Sequence, residues 1–122
     1  GEFPMTLEEL YKSLGGDYDE VMSRLSDENM IKKLLIMFPD DPSYSNLCIA
    51  LKYGDMKGAH LAAESLLGTC KNLGFLTLAK CLSDVAEAIK KGPGNVGDWM
   101  MSVLGSEYES TVYLVKKYTS KS

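Results

Sequence analysis

The sequence predicts an all-α protein, an antiparallel up-and-down four-helix bundle preceded by one or two short N-terminal helices. Apolar residues recur every three or four positions along several segments, and this spacing places them on one face of a helix. No segment alternates apolar and polar residues convincingly, so no β-strand is expected. The predicted connections between helices are short, which favours antiparallel neighbours.

The first two predicted helices are short. Thr6 and Glu9 have the spacing of a capping box, in which each side chain satisfies a backbone N–H near the other residue. A helix should therefore begin at this point, and the pair Gly15-Gly16 should end it. A second short helix is predicted over residues 17–25.

Two further helices are predicted before the middle of the chain. Ser26 or Asp27 should cap the first of them. Its inner face is predicted to carry Met30, Ile31, Leu34, Leu35 and Phe38. Pro42 suits the first turn of the second helix, where its missing N–H costs nothing. The inner face of that helix is predicted to carry Tyr44, Leu47, Cys48 and Leu51.

The clearest helical patterns lie in the second half of the chain. Asp55 should cap the longest helix, which runs to about Leu73 and ends at Gly74. Its apolar residues follow the spacing of a bundle seam: Met56, Ala59, Ala63, Leu66, Cys70 and Leu73. The next helix, up to Gly92, repeats that spacing with Phe75, Leu78, Leu82, Val85 and Ile89. The final helical region is predicted from about Val96 to Tyr118, carries Trp99, Met100 and Val103 among its apolar residues, and has Gly105 as a candidate break.

Composition excludes several classes of function. The chain has 122 residues, a net charge of −4 and no dense basic run, which argues against a nucleic-acid partner. No apolar run is long enough to cross a bilayer, so no membrane association and a cytoplasmic location are expected. Three cysteines in apolar helical patterns indicate reduced core thiols, and neither a metal nor a cofactor is expected. Residues 1–4 resemble an expression-vector remnant, and residues 5–122 are predicted to form a single domain.

A second stripe runs beside the seam of the predicted longest helix. At steps of three and four it contains Lys57, His60, Glu64, Leu67 and Lys71. These side chains should form a ridge, with Leu61 and Leu67 as an apolar rim that a partner helix could cover. Gly68 lies one turn after Glu64. Because a glycine inside a helix costs about 1 kcal/mol relative to alanine, it indicates a packing or access requirement.

The segment Ala63-Glu64-Ser65-Leu66-Leu67-Gly68, followed by Asn72-Leu73-Gly74-Phe75, resembles the signature of histidine phosphotransfer (HPt) domains. That signature reads Ala-His-x-Leu-Lys-Gly and then Asn-Leu-Gly, and the resemblance covers about residues 30–90. In such domains the histidine accepts a phosphoryl group from an aspartate of a response-regulator receiver domain and returns it. The lysine neutralises phosphate charge, and the glycine leaves room for phosphate and receiver. Here Glu64 replaces the histidine, Leu67 replaces the lysine, and Gly68 matches the glycine.

The resemblance implies a signalling or adaptor domain of a two-component phosphorelay, monomeric and not an enzyme, that binds a receiver domain or a histidine kinase. A glutamate carboxylate is anionic at neutral pH and would repel a phosphoryl group, and Leu67 supplies no compensating charge. Phosphotransfer is therefore not expected. The residues expected to contact the partner are Lys57, His60, Leu61, Glu64, Leu67, Gly68 and Lys71.

Two alternatives remain open from the sequence. His60, the single histidine, could act as a displaced phosphoacceptor if Glu64 accepts its hydrogen bond and fixes its tautomer. Alternatively, the ridge is an ordinary solvated face and the protein is a generic helical interaction module. A metal enzyme is a remote possibility, because one histidine and no Cys/His cluster leave too few ligands.

Overall fold

The computed structural model describes residues 5–120, which form helices and contain no β-strand. The α-helices are α1 (Leu7–Ser13), α2 (Tyr18–Leu25), α3 (Glu28–Met37), α4 (Ser43–Lys52), α5 (Met56–Leu73), α6 (Leu76–Lys91) and α7 (Asp98–Thr119). Short 3-10 turns join α3 to α4 (Phe38–Asp40) and α6 to α7 (Pro93–Asn95). The predicted all-α class is confirmed. Residues 1–4, interpreted as a vector remnant, lie outside the described residues.

The helix α5 lies at the centre of the packing, between α4 on one side and α6 on the other. The helix α7 packs against α6 and also contacts α1, α3 and the turn between α3 and α4. The predicted seam of α5 faces this core: Ala63 and Leu66 are fully buried, whereas Lys57 and Glu64 are exposed. The face of α5 that the sequence assigned to the core is therefore confirmed.

Most helix starts follow the predicted capping residues. The backbone N–H of Glu9 donates to Thr6 Oγ1 over 3.0 Å, and the N–H of Thr6 donates to Glu9 Oε1 over 3.3 Å, which completes the capping box. The Asp55 carboxylate accepts from the N–H of Gly58 at the start of α5. Asp27 caps α3, while Ser26 ends α2 in a left-handed conformation.

Three sequence predictions about the core helices are wrong. The longest helix is α7, with 22 residues against 18 for α5. Gly105 does not break α7. Instead, a Cβ at this position would lie 3.0 Å from Tyr44 Oη, so the glycine leaves room for a tyrosine ring that stacks on Tyr108 at 4.0 Å. Pro42 precedes α4 as its N-cap residue and does not lie in the first turn.

Three residues predicted on apolar faces are exposed to solvent: Met30, Trp99 and Val103. Met30 is 48% exposed, because α3 buries the narrower row of Ile31, Leu35 and Phe38 at steps of four and three. Trp99 is 80% exposed at the start of α7, whose buried residues begin at Leu104. The apolar pattern of each helix is therefore wider than the face that its neighbours cover.

The first two helices close the C-terminal end of α5. The hydroxyl of Tyr11 donates to the carbonyl of Leu73 over 2.6 Å, and Arg24 Nη2 donates to the carbonyl of Asn72 over 2.8 Å. These carbonyls lie in the last turn of α5, where no intrahelical donor remains. Gly74 follows with φ of 73°, and Val21 of α2 packs directly against it.

Gly74→Ala should destabilise the protein much more than Gly54→Ala. Both glycines have φ of 73°, so each alanine carries a similar backbone strain of about 1 kcal/mol. A Cβ at position 54 meets nothing within 4 Å, whereas one at position 74 collides with Val21 Cγ2. We expect a loss of roughly 3 kcal/mol for Gly74→Ala in urea unfolding. In a Val21→Ala background the two glycine variants should cost the same, and a persistent difference there would contradict the steric explanation.

Candidate functional site

The exposed face of α5 contains most of the residues predicted to contact a partner. Lys57, Glu64, Gly68 and Lys71 are exposed, Leu61 is 62% exposed, and His60 is half-buried at the edge. Leu67 is the exception: only 7% of its surface is accessible, so it does not form the exposed rim that was predicted. Its neighbours one turn before and after it, Ala63 and Cys70, are both fully buried. Leu67 therefore belongs to the core edge. The remaining six residues are called the α5 face below.

His60 does not make the predicted hydrogen bond to Glu64. The His60 Nε2 and Glu64 Oε1 atoms are 3.7 Å apart, which is beyond hydrogen-bonding distance. This nitrogen is covered by protein and has no hydrogen-bond partner among residues 5–120. A phosphoacceptor nitrogen must be reached by the phosphoryl donor. The position of Nε2 therefore counts against His60 as a displaced phosphoacceptor through this atom.

A cleft of about 480 Å³ lies between α5 and α6, beside His60. Its walls combine apolar side chains with two lysines: Met56, Lys57, His60, Leu61, Ile89 and Lys90. Lys90 pairs with Glu87 of α6 at 3.7 Å, whereas Lys57 forms no ion pair among residues 5–120. An acidic partner surface would be attracted to Lys57, mainly at low ionic strength.

Gly68 faces open space. A Cβ built at this position has no heavy atom within 4 Å, so no neighbouring side chain requires a glycine. Its φ is not in the left-handed region, so backbone conformation does not require one either. The packing explanation of this interior glycine is therefore excluded for the isolated chain. A glycine at such a position lets another molecule approach the helix backbone closely.

A second group of residues near this face was not anticipated from the sequence. The hydroxyls of Ser43 and Ser65 lie 3.1 Å apart and join α4 to α5. Beyond them, a groove of about 570 Å³ separates α5 from α3 and the following turn. The residues that line it are Leu34, Met37, Phe38, Asp40, Asp41, Pro42, Thr69, Asn72 and Leu73. The only local signal in the sequence is a pair of aspartates between two prolines, Pro39 and Pro42.

The cysteines have a structural role. Cys70 is fully buried, and burial raises the pKa of its thiol to about 12, with a smaller contribution from the charge of Asp41. Burial also raises the pKa of the Cys81 thiol. Neither thiol is therefore activated as a nucleophile. Cys48, Cys70 and Cys81 form no disulfide, and residues 5–120 contain no cluster of three potential metal ligands.

Comparisons with protein-family models, with curated proteins and with solved structures gave no match for this chain. Within residues 5–120, no helix combines the length and apolar character needed to cross a bilayer. Function is therefore inferred from the α5 face and its surroundings.

Gly68→Ala should stabilise the protein by up to about 1 kcal/mol, because alanine is the better helix former and nothing obstructs its methyl group. Gly105→Ala is the matched control, since Gly105 also lies inside a helix but faces Tyr44 Oη at 3.0 Å. Its gain in helix propensity should be offset by the displacement of Tyr44. Urea unfolding of both variants measures the difference, and destabilisation by Gly68→Ala would show that position 68 has a packing role.

Proposed function

We propose that the protein is an HPt-like adaptor domain of a two-component phosphorelay that binds a response-regulator receiver domain and carries no phosphate. The observation that carries the proposal is the open backbone at Gly68, one turn after the exposed Glu64. A helix interior loses stability at such a glycine. Nothing in the isolated domain requires a glycine at position 68, whereas the close approach of a partner would require one.

The charges on α5 support a binding role without phosphotransfer. Glu64 provides a carboxylate at the position of the family's phosphorylated histidine, and it would repel an incoming phosphoryl group. Leu67 is buried, so no cation occupies the position of the family's lysine. Lys71 is exposed one turn farther along the helix, where it can contact the rim of an acidic partner.

The proposal includes the antiparallel four-helix architecture that the apolar spacing and the short connections predict. The helices α4, α5, α6 and α7 pack in chain order, with short connections between them, and this arrangement supports an antiparallel four-helix bundle. We propose a monomer in the cytoplasm, where receiver domains and the cytoplasmic parts of histidine kinases are found.

The second candidate, phosphotransfer through His60, has less support. Its Nε2 atom is covered, and Glu64 occupies the place one turn later where an acceptor would need a small residue. The third candidate, a generic helical module, explains the charged residues of the α5 face as solvated. It does not explain why an open position in the interior of this helix is a glycine.

The purified protein should take up no acid-labile, base-stable phosphate when it is incubated with a phosphorylated receiver domain. Stoichiometric labelling that disappears in His60→Gln would contradict the proposal and favour the second candidate. Glu64→His together with Leu67→Lys should create acceptance, because the pair restores the nucleophile and a cation near it. Since position 67 lies at the core edge, its lysine must extend past buried neighbours, and unfolding of this variant should be measured in parallel.

Binding to a receiver domain from the same organism should depend on Gly68 and Lys71. Gly68→Gln should fold normally yet weaken the complex at least about tenfold, because its side chain occupies the space needed for close approach. Lys71→Glu should weaken binding mainly at low salt. The matched controls are Ser106→Gln and Lys116→Glu, which change exposed residues of α7. Calorimetry that gives equal affinities for Gly68→Gln and the parent would remove the main support for the proposal.

A further inference from the structure

The groove between α3 and α5, which we call the acidic groove, has an apolar floor. Leu34, Phe38 and Leu73 line it, and Met37 stands at its edge with 65% of its surface exposed. Its volume of about 570 Å³ is in the range of clefts that bury a ligand or an anchoring side chain. Thr69 and Asn72 on α5 form the opposite wall of the groove.

The apolar surface extends from the groove along α3. Met30, Leu34 and Met37 are spaced by four and three residues, so they share one face of this helix. That face differs from the buried row of α3, and Met30 and Met37 are both largely exposed. Seven residues of helix correspond to about 10 Å. The surface is therefore elongated, which suits a partner helix better than a compact small molecule. Flexible methionine side chains adapt readily to such partners.

One end of the groove is negatively charged. Asp40 and Asp41 lie directly after α3, where the helix dipole also favours cations. Among residues 5–120, neither aspartate forms an ion pair. Asp41 Oδ1 accepts a hydrogen bond from the N–H of Ser43, which leaves its other oxygen available. Burial raises the pKa of Cys70 and Tyr108, and the charge of Asp41 adds a smaller contribution to both, which places this carboxylate close to the interior beside the groove.

We propose that the acidic groove binds an amphipathic helix of a partner protein, which places an apolar side chain on the floor and a lysine or arginine beside Asp40 and Asp41. The occupant follows from charge complementarity at one end and from the elongated apolar stripe on α3. The groove shares no residue with the α5 face, and the inference does not depend on receiver binding.

The test uses two synthetic peptides of about 14 residues, roughly four helical turns, with the same pattern of leucines. One carries lysine at every polar position and the other carries glutamate. In NMR titrations of the whole protein, the lysine peptide should shift the amide signals of Leu34, Met37, Thr69 and Asn72. It should bind at least about tenfold more tightly than the glutamate peptide.

The double variant Asp40→Asn with Asp41→Asn should bind the lysine peptide at least about tenfold more weakly than the parent protein does. Asparagine at position 41 retains a side-chain oxygen that can accept from Ser43, so the start of α4 is preserved. The control is Asp98→Asn with Glu109→Gln, which removes the same charge from exposed positions on α7. Met37→Gln should also lower the affinity for the lysine peptide. It leaves the charge of the protein unchanged but removes apolar contact.

Several results would overturn the inference. One is an equal loss of affinity in the α7 control, which would show attraction to net charge alone. Others are equal binding of the two peptides, or shifted signals spread over other faces of the protein. Saturation of the groove by dodecylammonium, with no shift by the lysine peptide, would identify a small-molecule site instead.

Discussion

The closed C-terminus of α5 is the constraint on which the rest of the structure depends. The last carbonyls of a helix need donors from outside it, and here α1 and α2 provide them through Tyr11 and Arg24. Arg24 also pairs with Glu20 within α2, which holds the guanidinium toward Asn72. Because Val21 packs on Gly74 at the same point, the end of α5 has a fixed position relative to the N-terminal helices.

The packing around α5 determines which of its residues remain exposed. With α4 on one side and α6 on the other, only a narrow strip around Leu61 and Gly68 reaches solvent. The strip itself carries both signs of charge, with Glu64 between Lys57 and Lys71 along the helix. Asp40 and Asp41 lie in the groove between α3 and α5. A partner that covered the strip would be oriented by these charges more than it would be tightened by them.

The sequence was sufficient where structure depends on local rules. Capping residues such as Thr6 and Asp55 and the terminating Gly74 placed helix ends within a residue or two, because each acts on adjacent backbone. The seam of α5 was also predicted correctly. The width of each buried face was not predicted correctly, because that width depends on which neighbours pack against the helix. Leu67 follows the spacing of the exposed stripe, yet it is buried, while Met30 lies on the predicted apolar face of α3 and is 48% exposed.

The candidate site shows the same division between local and long-range information. Gly68 was identifiable from the sequence as an interior glycine, but only the empty space around it excludes a packing role. The acidic groove was not identifiable, because it joins the Phe38–Asp41 segment to Thr69 and Leu73, about thirty residues away along the chain. No periodicity within a single helix reports such a contact.

Leu67 and Gly68 are adjacent and have opposite effects on stability. Burying a leucine side chain contributes about 2 kcal/mol at most positions of this kind, and this figure is an upper estimate for a chain whose unfolded state is already partly compact. The neighbouring glycine costs about 1 kcal/mol in the same helix. If α5 served stability alone, both positions would favour residues that add to it, and alanine at position 68 would fit without a clash. The helix instead gains stability at buried Leu67 and forgoes it at exposed Gly68. This difference is expected of a surface on which another molecule must come close to the backbone, and it holds whether or not that molecule carries phosphate.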